Sequence, residues 1–289
     1  SSYAYHFKQL VPQKCPNVTT PHVVEPQCPG VVDRYIDLSG FYDRTGLQPL
    51  KEDILNAAAE YQGRYRRVYR CLGAAGELRR DMAELLDGPE VQQRLAKRAA
   101  GIISRELKRP PQGEGRVAQR FLSAVTHKGA LTLWNTVEAQ AERVYELVDN
   151  CGLAHHMLDP LLTAALAAGH DAVACPDPMA PDRLAHLIFP GLSLAFVTST
   201  QEDPWPHRAY RRLRLDAMAD AEVCRLNRPR LRFTRRVASA LLEEGIAGLA
   251  QAKEAHDRLE RLYNPYVDFD SVSRTADQLA RQILALREE

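Results

Sequence analysis

The sequence predicts an α/β fold that is rich in helix, with a mostly parallel sheet flanked by long helices. Two observations lead to this fold class. Between residues 143 and 197, short apolar segments alternate with an apolar helical segment, which is the pattern of a buried parallel sheet. Before and after this region, much longer stretches are rich in Ala, Leu, Glu and Arg. Such stretches favour helices, so we expect long helices beside the sheet.

Composition places the chain among folded proteins of the cytoplasm. Of its 289 residues, 45% are hydrophobic and 26% charged, which argues against global disorder. The net charge is +1, so nucleic acid is not favoured as a partner, because polyanion binders usually carry a larger positive excess. No segment approaches the roughly 18 apolar residues of a membrane helix, and the first residues lack the layout of a secretory signal. We therefore expect a cytoplasmic protein without a membrane partner.

The first third of the chain is predicted to be helical. Residues 50–86 favour one long helix, Gly88-Pro89 interrupts it, and residues 90–107 resume it. The segment 109–115 holds two prolines and two glycines, which cannot continue a helix and predict an exposed linker. This divides the chain into a first part at 1–108, the linker at 109–115 and a second part at 116–289.

The central region carries the strands. Residues 143–148, 171–175 and 192–197 are short, apolar strand candidates. Asp159-Pro160 reads as an N-cap followed by proline at the first helical position, before an apolar helix over 161–168. In a parallel sheet, ligands bind beyond the carboxyl ends of the strands, so the loops that follow these strands are the first place to look for a site.

The last third returns to helix. Apolar or small residues recur on one helical face over 233–263, and again over 271–286. Asn264-Pro265 separates the two helices.

An internal repeat relates the two parts of the chain. Residues 33–43 align without gaps on residues 210–220, and Asp43 then matches Asp220. The second copy follows a long α/β region, whereas few residues precede the first. We therefore expect the first copy to lack its opening strand, loop and helix, through truncation of the chain or loss from the gene.

Three phrases, at residues 20–30, 121–129 and 183–199, resemble an uncharacterised family of bacterial ATP-binding proteins built from two P-loop NTPase-like halves. The likeness spans nearly the whole chain from about Leu10. It implies a P-loop NTPase-like sheet, ATP and Mg²⁺ as ligands, and ATPase activity. The chain begins after the place of the first half's G-x-x-x-x-G-K-[ST] loop. Asn17 stands where such families carry an aspartate.

The second half keeps the position of a phosphate loop but not its chemistry. After the strand ending at Asp149, the loop runs over 150–157 with one glycine and without lysine, serine or threonine. A working loop needs glycines to curl its amides around phosphate, a lysine to neutralise charge and a hydroxyl for Mg²⁺. Asp159 would add a carboxylate where the helix amides could otherwise hold phosphate. At the tip of another strand, residues 197–199 supply no acid.

These departures predict no catalytic residue. The chain is expected to be an ATP-binding, ATPase-family protein with impaired catalysis, which binds a nucleotide if the loop still can. The alternative is a non-catalytic helical scaffold, a pseudo-NTPase core whose helical arms bind a protein partner.

Candidate nucleotide-binding residues lie at the loop and in two basic segments outside it: Asn150, Cys151, Gly152, His155, His156, Lys128, Arg230 and Arg232. For the three basic residues of this set, a structural interpretation is simpler than nucleotide binding. Lys128 precedes a turn at Gly129, where it would be solvated, and the arginines could pair with surface acids such as Glu243 and Glu244.

The carboxyl-end edge of the predicted sheet also carries potential metal ligands, because two thiols and an imidazole can hold zinc if they converge. The residues concerned are Cys151, His155, His156, Cys175 and Asp177. Their spacing matches no metal motif, so no metal site is predicted, and the chain's six cysteines are expected to be reduced thiols.

Overall fold

The computed structural model describes residues 38–108 and 113–285. The predictions for Asn17, for the phrase at 20–30 and for the linker residues 109–112 lie outside the described residues, as does the start of the first repeat copy. The chain divides into two compact units. The described residues of the first unit lie within 68–247, and those of the second are 38–67 and 248–285. The predicted linker lies within the first unit.

The helices account for most of the described chain. They run over Arg44–Leu47 (α1), Lys51–Leu86 (α2), Pro89–Glu106 (α3), Trp134–Glu138 (α4), His155–Ala167 (α5), Ala221–Leu226 (α6), Arg228–Tyr263 (α7) and Phe269–Ala285 (α8). The four long helices predicted from composition and periodicity are confirmed. The largest difference is that α7 begins at Arg228 rather than at Phe233, with Pro229 in its first turn, where proline is tolerated.

Eight strands form two sheets in the described chain. The strands are Val117–Gln119 (β1), Ser123–Thr126 (β2), Gly129–Thr132 (β3), Arg143–Val148 (β4), Ala172–Asp177 (β5), Ala180–Phe189 (β6), Leu194–Ser199 (β7) and Arg211–Arg214 (β8). The main sheet has the order β1-β5-β6-β7-β4-β8, and β2 with β3 forms a separate antiparallel hairpin. The predicted α/β fold with a mostly parallel sheet is confirmed, and β4 has its predicted bounds.

Five of the eight strands were not predicted (β1, β2, β3, β6 and β8), and β6 changes the character of the sheet most. β6 pairs antiparallel with both β5 and β7, so the sheet is mixed rather than purely parallel. Its first residues include Pro181 and the charged Asp182 and Arg183. Because proline and charge are rare inside a buried sheet, these residues do not predict a strand. The Asp177 carboxylate accepts a hydrogen bond from the amide of Met179 at 2.7 Å and stabilises the turn into β6.

Apolar side chains cover both faces of the main sheet, as the continuous apolar strands predicted. On one face, α3 and α5 pack through residues such as Leu95 and Leu161 against Phe196. On the other face, Val144 and Ile188 pack in a second cluster. The sheet is therefore a buried support for the loops at its edges.

Two corrections concern the start of α5. The helix begins at His155, so Asp159 is not its N-cap, and Pro160 lies inside the helix. Asp159 is exposed, and its backbone carbonyl accepts a hydrogen bond from Thr163. A different aspartate, described below, takes the role that was expected of Asp159.

The structure agrees with the internal repeat where both copies are described. Each copy forms one 3₁₀ turn, at Ser39–Phe41 and at Leu215–Met218, ahead of its aspartate. Asp43 then caps α1 by accepting two backbone hydrogen bonds, and Asp220 caps α6 in the same way. The matched aspartates thus perform the same structural task.

The second unit is held by polar contacts between its own helices. Glu60 accepts hydrogen bonds from Arg64 at 2.8 Å and from Arg258 at 2.6 Å. Arg64 also donates to Gln251 at 2.6 Å, so segments of α2 and α7 are joined here. Among the described residues, no helix is both long enough and apolar enough to cross a membrane.

Candidate functional site

The candidate site lies in the first unit, at the edge of the sheet where β4, β5 and β7 end. A cavity of about 180 Å³ opens at this edge. Asn150, Gly152 and His155 line it from the predicted phosphate-loop position, and Asp177 lines it from the end of β5. The remaining wall is formed by side chains of α2 and α7, among others. The cavity thus lies at the edge where the sequence analysis looked for a site.

Asp149 fills the centre of the loop. Its side chain is buried, with an exposed fraction of 4%. One carboxylate oxygen accepts a hydrogen bond from the amide of Cys151 at 3.0 Å, and the other accepts from the amide of Ala154 at 2.7 Å. Burial raises the pKa of Asp149 to about 6, against the opposing effect of these amide donors. Amides that would surround a phosphate in a working loop are thus bonded to the protein's own carboxylate.

A second carboxylate fixes the first residue of the loop. Asp216 accepts hydrogen bonds from the backbone amide of Asn150 at 2.7 Å and from its side-chain amide at 2.6 Å. The Asn150 side-chain oxygen in turn accepts from the amide of Gln201 at 2.9 Å. Asn150 lines the cavity, but its polar groups are already engaged.

The described residues do not fit a magnesium triphosphate. Lys128 is exposed in the β2–β3 turn and does not line the cavity. Two hydroxyl groups lie near the end of β7, but Thr198 donates its own to the carbonyl of Ala185, and that of Thr200 accepts from the amide of Asp203. Neither is placed on the loop, where the Mg²⁺-binding hydroxyl of a working site belongs.

Four arginines line the cavity: Arg79, Arg80, Arg183 and Arg235. Arg80 donates to both oxygens of Asp182, at 2.9 and 3.0 Å, and Arg79 lies 3.4 Å from Glu202. Arg183 forms no ion pair with any described residue. One of its terminal nitrogens lies 4.0 Å from the point where a side chain at Gly152 would begin. The Arg183 guanidinium therefore lies beside the loop without an acidic partner among the described residues. The sequence analysis did not identify Arg183 as a candidate.

The two predicted arginines lie elsewhere. Arg230 pairs with Asp81 on α2 at 2.7 Å, so its charge is directed at a surface acid and it does not line the cavity. Arg232 is exposed and also outside the lining. Arg235, one helical turn further along α7, is the basic residue of this segment that reaches the cavity.

The considered zinc site of two thiols and an imidazole does not form. Cys151 lies in the hydrophobic cluster on one face of the sheet, and Cys175 lies in the cluster on the other face. Burial raises the pKa of the Cys151 thiol and raises that of Cys175 to about 12. Both cysteines are inert core residues at neutral pH.

The paired histidines diverge in what they contact. His155 lines the cavity, and burial, with further contributions from His156 and Arg183, lowers its pKa to about 4. His156 does not line the cavity. Its Nε2 atom lies 2.8 Å from a carboxylate oxygen of Asp87, in the turn between α2 and α3.

A buried histidine on β6 was not anticipated. Nδ1 of His186 accepts a hydrogen bond from the amide of Thr198 at 3.2 Å, so the neutral ring carries its proton on Nε2. Nε2 lies 3.2 Å from the Ser123 hydroxyl, which leads through Thr132 to Asp203. With its proton on Nε2, His186 cannot take a proton from Ser123, so this chain of groups is not a nucleophilic site. Burial lowers the pKa of His186 to about 3.

Fold and site together define an α/β protein with a strand–loop–helix unit whose loop amides are capped by an internal carboxylate. No family model, curated protein or solved structure matches the chain. The sequence signal for the capping carboxylate was present, since Asp149 directly follows a buried strand.

Proposed function

We propose that the chain is a P-loop NTPase-like protein that does not hydrolyse nucleotide, a pseudo-NTPase whose core supports helices that bind a protein partner. The observation that carries this proposal is the pair of hydrogen bonds from the loop amides of Cys151 and Ala154 to Asp149. Under this proposal, the two amides correspond to those with which a P-loop holds its phosphates.

Electrostatics support the same conclusion. A phosphate that approached these amides would meet the Asp149 carboxylate, and two like charges 4 Å apart repel by about 4 kcal/mol at an effective dielectric constant near 20. Each amide–anion hydrogen bond contributes about 1.5–3 kcal/mol, and here these bonds are already made. The loop itself has no lysine to offset the repulsion, and the guanidinium of Arg183 approaches it only from β6.

Exposed apolar side chains on the helices support a protein partner. In the first unit, Leu226 of α6 and Phe233 of α7 are 64% and 66% exposed. In the second unit, α8 has no buried residue although its sequence is amphipathic, and Ile283 is 66% exposed. These exposed apolar side chains are the groups that a protein partner would cover under this proposal.

The proposal is tested by thermal unfolding of the purified chain with and without millimolar Mg²⁺–ATP, alongside an assay of ATP hydrolysis. We expect no rise in melting temperature and no hydrolysis. A ligand at a hundred times its Kd would stabilise the fold by about 2.7 kcal/mol. A clear rise with the wild-type chain would therefore contradict the proposal.

A matched pair of variants tests whether the Asp149 carboxylate is what keeps phosphate from the loop amides. Asp149→Gly frees the loop amides, and we expect inorganic phosphate to stabilise this variant more than it stabilises the wild type. Asp177→Ala removes a carboxylate from the same cavity without freeing those amides. If phosphate stabilised both variants equally, the effect would come from net charge and not from the loop.

A second candidate function is the binding of a nucleotide or another phosphate-bearing ligand at the cavity, without use of the loop amides. Arg183 favours it, because this guanidinium faces the cavity without an acidic partner among the described residues. Under this alternative, Mg²⁺–ATP would stabilise the wild type, and Arg183→Gln would remove the stabilisation. Arg230→Gln, whose arginine lies outside the cavity lining, is the control.

A further inference from the structure

Asp87, His155 and His156 form a cluster that the proposed function does not use. Asp87 lies in the turn between α2 and α3, and the two histidines are the first residues of α5. One ligand atom from each side chain lies within 4.8 Å of the others. All three residues belong to the first unit and are half-buried.

The Asp87 carboxylate is only partly satisfied. One oxygen lies 2.8 Å from Nε2 of His156. The other oxygen is buried and has no hydrogen-bond partner among the described residues. A buried carboxylate oxygen without a donor is costly, and native structures usually provide one, or an ion. The cluster therefore has an unfilled place for a positive charge.

The two imidazoles converge on this place. Neighbouring residues of a helix normally point in different directions, yet the ring centroids of His155 and His156 lie 4.0 Å apart. One nitrogen of each ring lies within 4.8 Å of a carboxylate oxygen of Asp87.

We propose that Asp87, His155 and His156 bind a divalent transition-metal ion, with zinc as the preferred metal. Two imidazole nitrogens and one carboxylate oxygen suit zinc and neighbouring metals, whereas Mg²⁺ and Ca²⁺ prefer oxygen ligands alone. Three protein ligands leave a position for water or an anion. Binding would link the turn before α3 to the start of α5.

A second group of the same residue types serves as a comparison. His256, Asp257 and Glu260 lie close together on α7 within the second unit. There, Asp257 already pairs with the ammonium group of Lys253 at 2.6 Å, and His256 pairs with Glu260 at 3.3 Å. Both carboxylates of this group are already paired, unlike that of Asp87. This group is not expected to bind zinc tightly.

The test uses the full chain without an affinity tag, stripped of metal with a chelator. Zinc is titrated against a chromophoric competitor, and the metal bound after dialysis is measured by elemental analysis. We expect one equivalent of tightly bound zinc. Cobalt(II) in its place should give the visible absorption of a low-symmetry site.

The variants distinguish this site from adventitious binding. His155→Gln and His156→Gln should each weaken zinc binding by at least about tenfold, and Asp87→Asn should do the same. His256→Gln should leave zinc binding unchanged. Circular dichroism and melting of each variant with chelator present will show whether it is folded.

Two outcomes would overturn the proposal. One is zinc binding by the folded double variant His155→Gln, His156→Gln that equals binding by the wild type. The other is loss of binding in His256→Gln. If His156→Gln fails to fold, Asp87→Asn and His155→Gln still decide the matter, and equal zinc binding by both folded variants and the wild type would overturn the proposal.

Discussion

Asp149 is a buried side chain that organises the loop after β4. It lies at the carboxyl end of β4 and accepts hydrogen bonds from the amides of Cys151 and Ala154. In the absence of the carboxylate, both amides would be enclosed without an acceptor. The side chain is therefore a structural element of the loop as well as an obstacle to anions.

The first prediction concerns the stability of this loop. Asp149→Ala should lower the free energy of unfolding by about 1–3 kcal/mol at pH 7, because buried amides lose their acceptor. Urea denaturation followed by circular dichroism measures it. Asp159→Ala is the control, since that residue is exposed, and it should change the stability little. Equal effects of the two substitutions would show that Asp149 does not stabilise the loop.

The second prediction concerns the acid response of His186. Its pKa is lowered from 6.5 to about 3, so the neutral ring stabilises the fold above pH 6.5, and this contribution is lost as the pH falls towards 3. The loss should approach about 1.4 kcal/mol per pH unit in that window. Asp149 acts in the opposite direction, because its pKa is raised to about 6 and protonation relieves its burial.

A comparison with His186→Asn separates the two effects. The asparagine can keep the hydrogen bond from Thr198 but does not titrate. Unfolding free energies are measured for both proteins between pH 7.5 and pH 4.5, a range that follows from the two pKa values. The wild type should lose its advantage as the pH falls, and parallel curves would contradict a buried neutral histidine.

At the scale of residues, sequence reasoning located the loop between β4 and α5 and its lack of lysine, serine and threonine. It assigned the internal carboxylate to Asp159 because an Asp-Pro pair is a common helix start. The helix begins earlier, at His155, and the carboxylate comes from Asp149. Local propensity cannot identify Asp149 as the capping residue, because the amides that it accepts hydrogen bonds from surround it only in the folded loop.

At the scale of elements, the approach of α2 to the β5–β6 turn is a sensitive contact. A Cβ atom on Gly76 would lie 2.9 Å from the backbone carbonyl oxygen of Met179. Backbone atoms at a turn cannot move as easily as the end of a side chain. Glycine is therefore required at position 76 by its close packing against the turn and not by helix formation.

The third prediction follows from this contact. Gly76→Ala should destabilise the chain by about 1–3 kcal/mol through overpacking, although alanine favours helix by about 1 kcal/mol. Gly101→Ala, in α3 of the same unit, is the matched control, because its nearest neighbour would be an arginine nitrogen at 3.8 Å. That control should be neutral or stabilising in thermal melts. A stabilised Gly76→Ala variant would show that the turn can move.

Elements with a strong periodic signal were predicted well, and elements defined by pairing were not. The helices α2 and α3 follow from composition and from the break at Gly88-Pro89. The strand β6 depends on its two neighbours for stability, and its polar first half gives no alternation that could reveal it. Such a strand can be recognised only when its partners are known.

At the scale of the whole molecule, the α/β fold class and the covered sheet could be read from the alternation of apolar segments. The division into units could not. Both α2 and α7 contribute a segment to each unit, so the boundaries fall inside continuous helices. Propensity is uniform across such boundaries, and only long-range contacts distinguish the two sides.

The capped loop also has a consequence for how the protein could respond to its surroundings. Under the proposed function, Asp149 is a competing anion that is covalently attached to the loop, so its effective concentration does not depend on the solution. Raising the concentration of a free anion would have to overcome this intramolecular partner, which cannot diffuse away or be diluted. The proposed pseudo-NTPase would therefore respond little at this loop to changes in the concentration of phosphate or nucleotide.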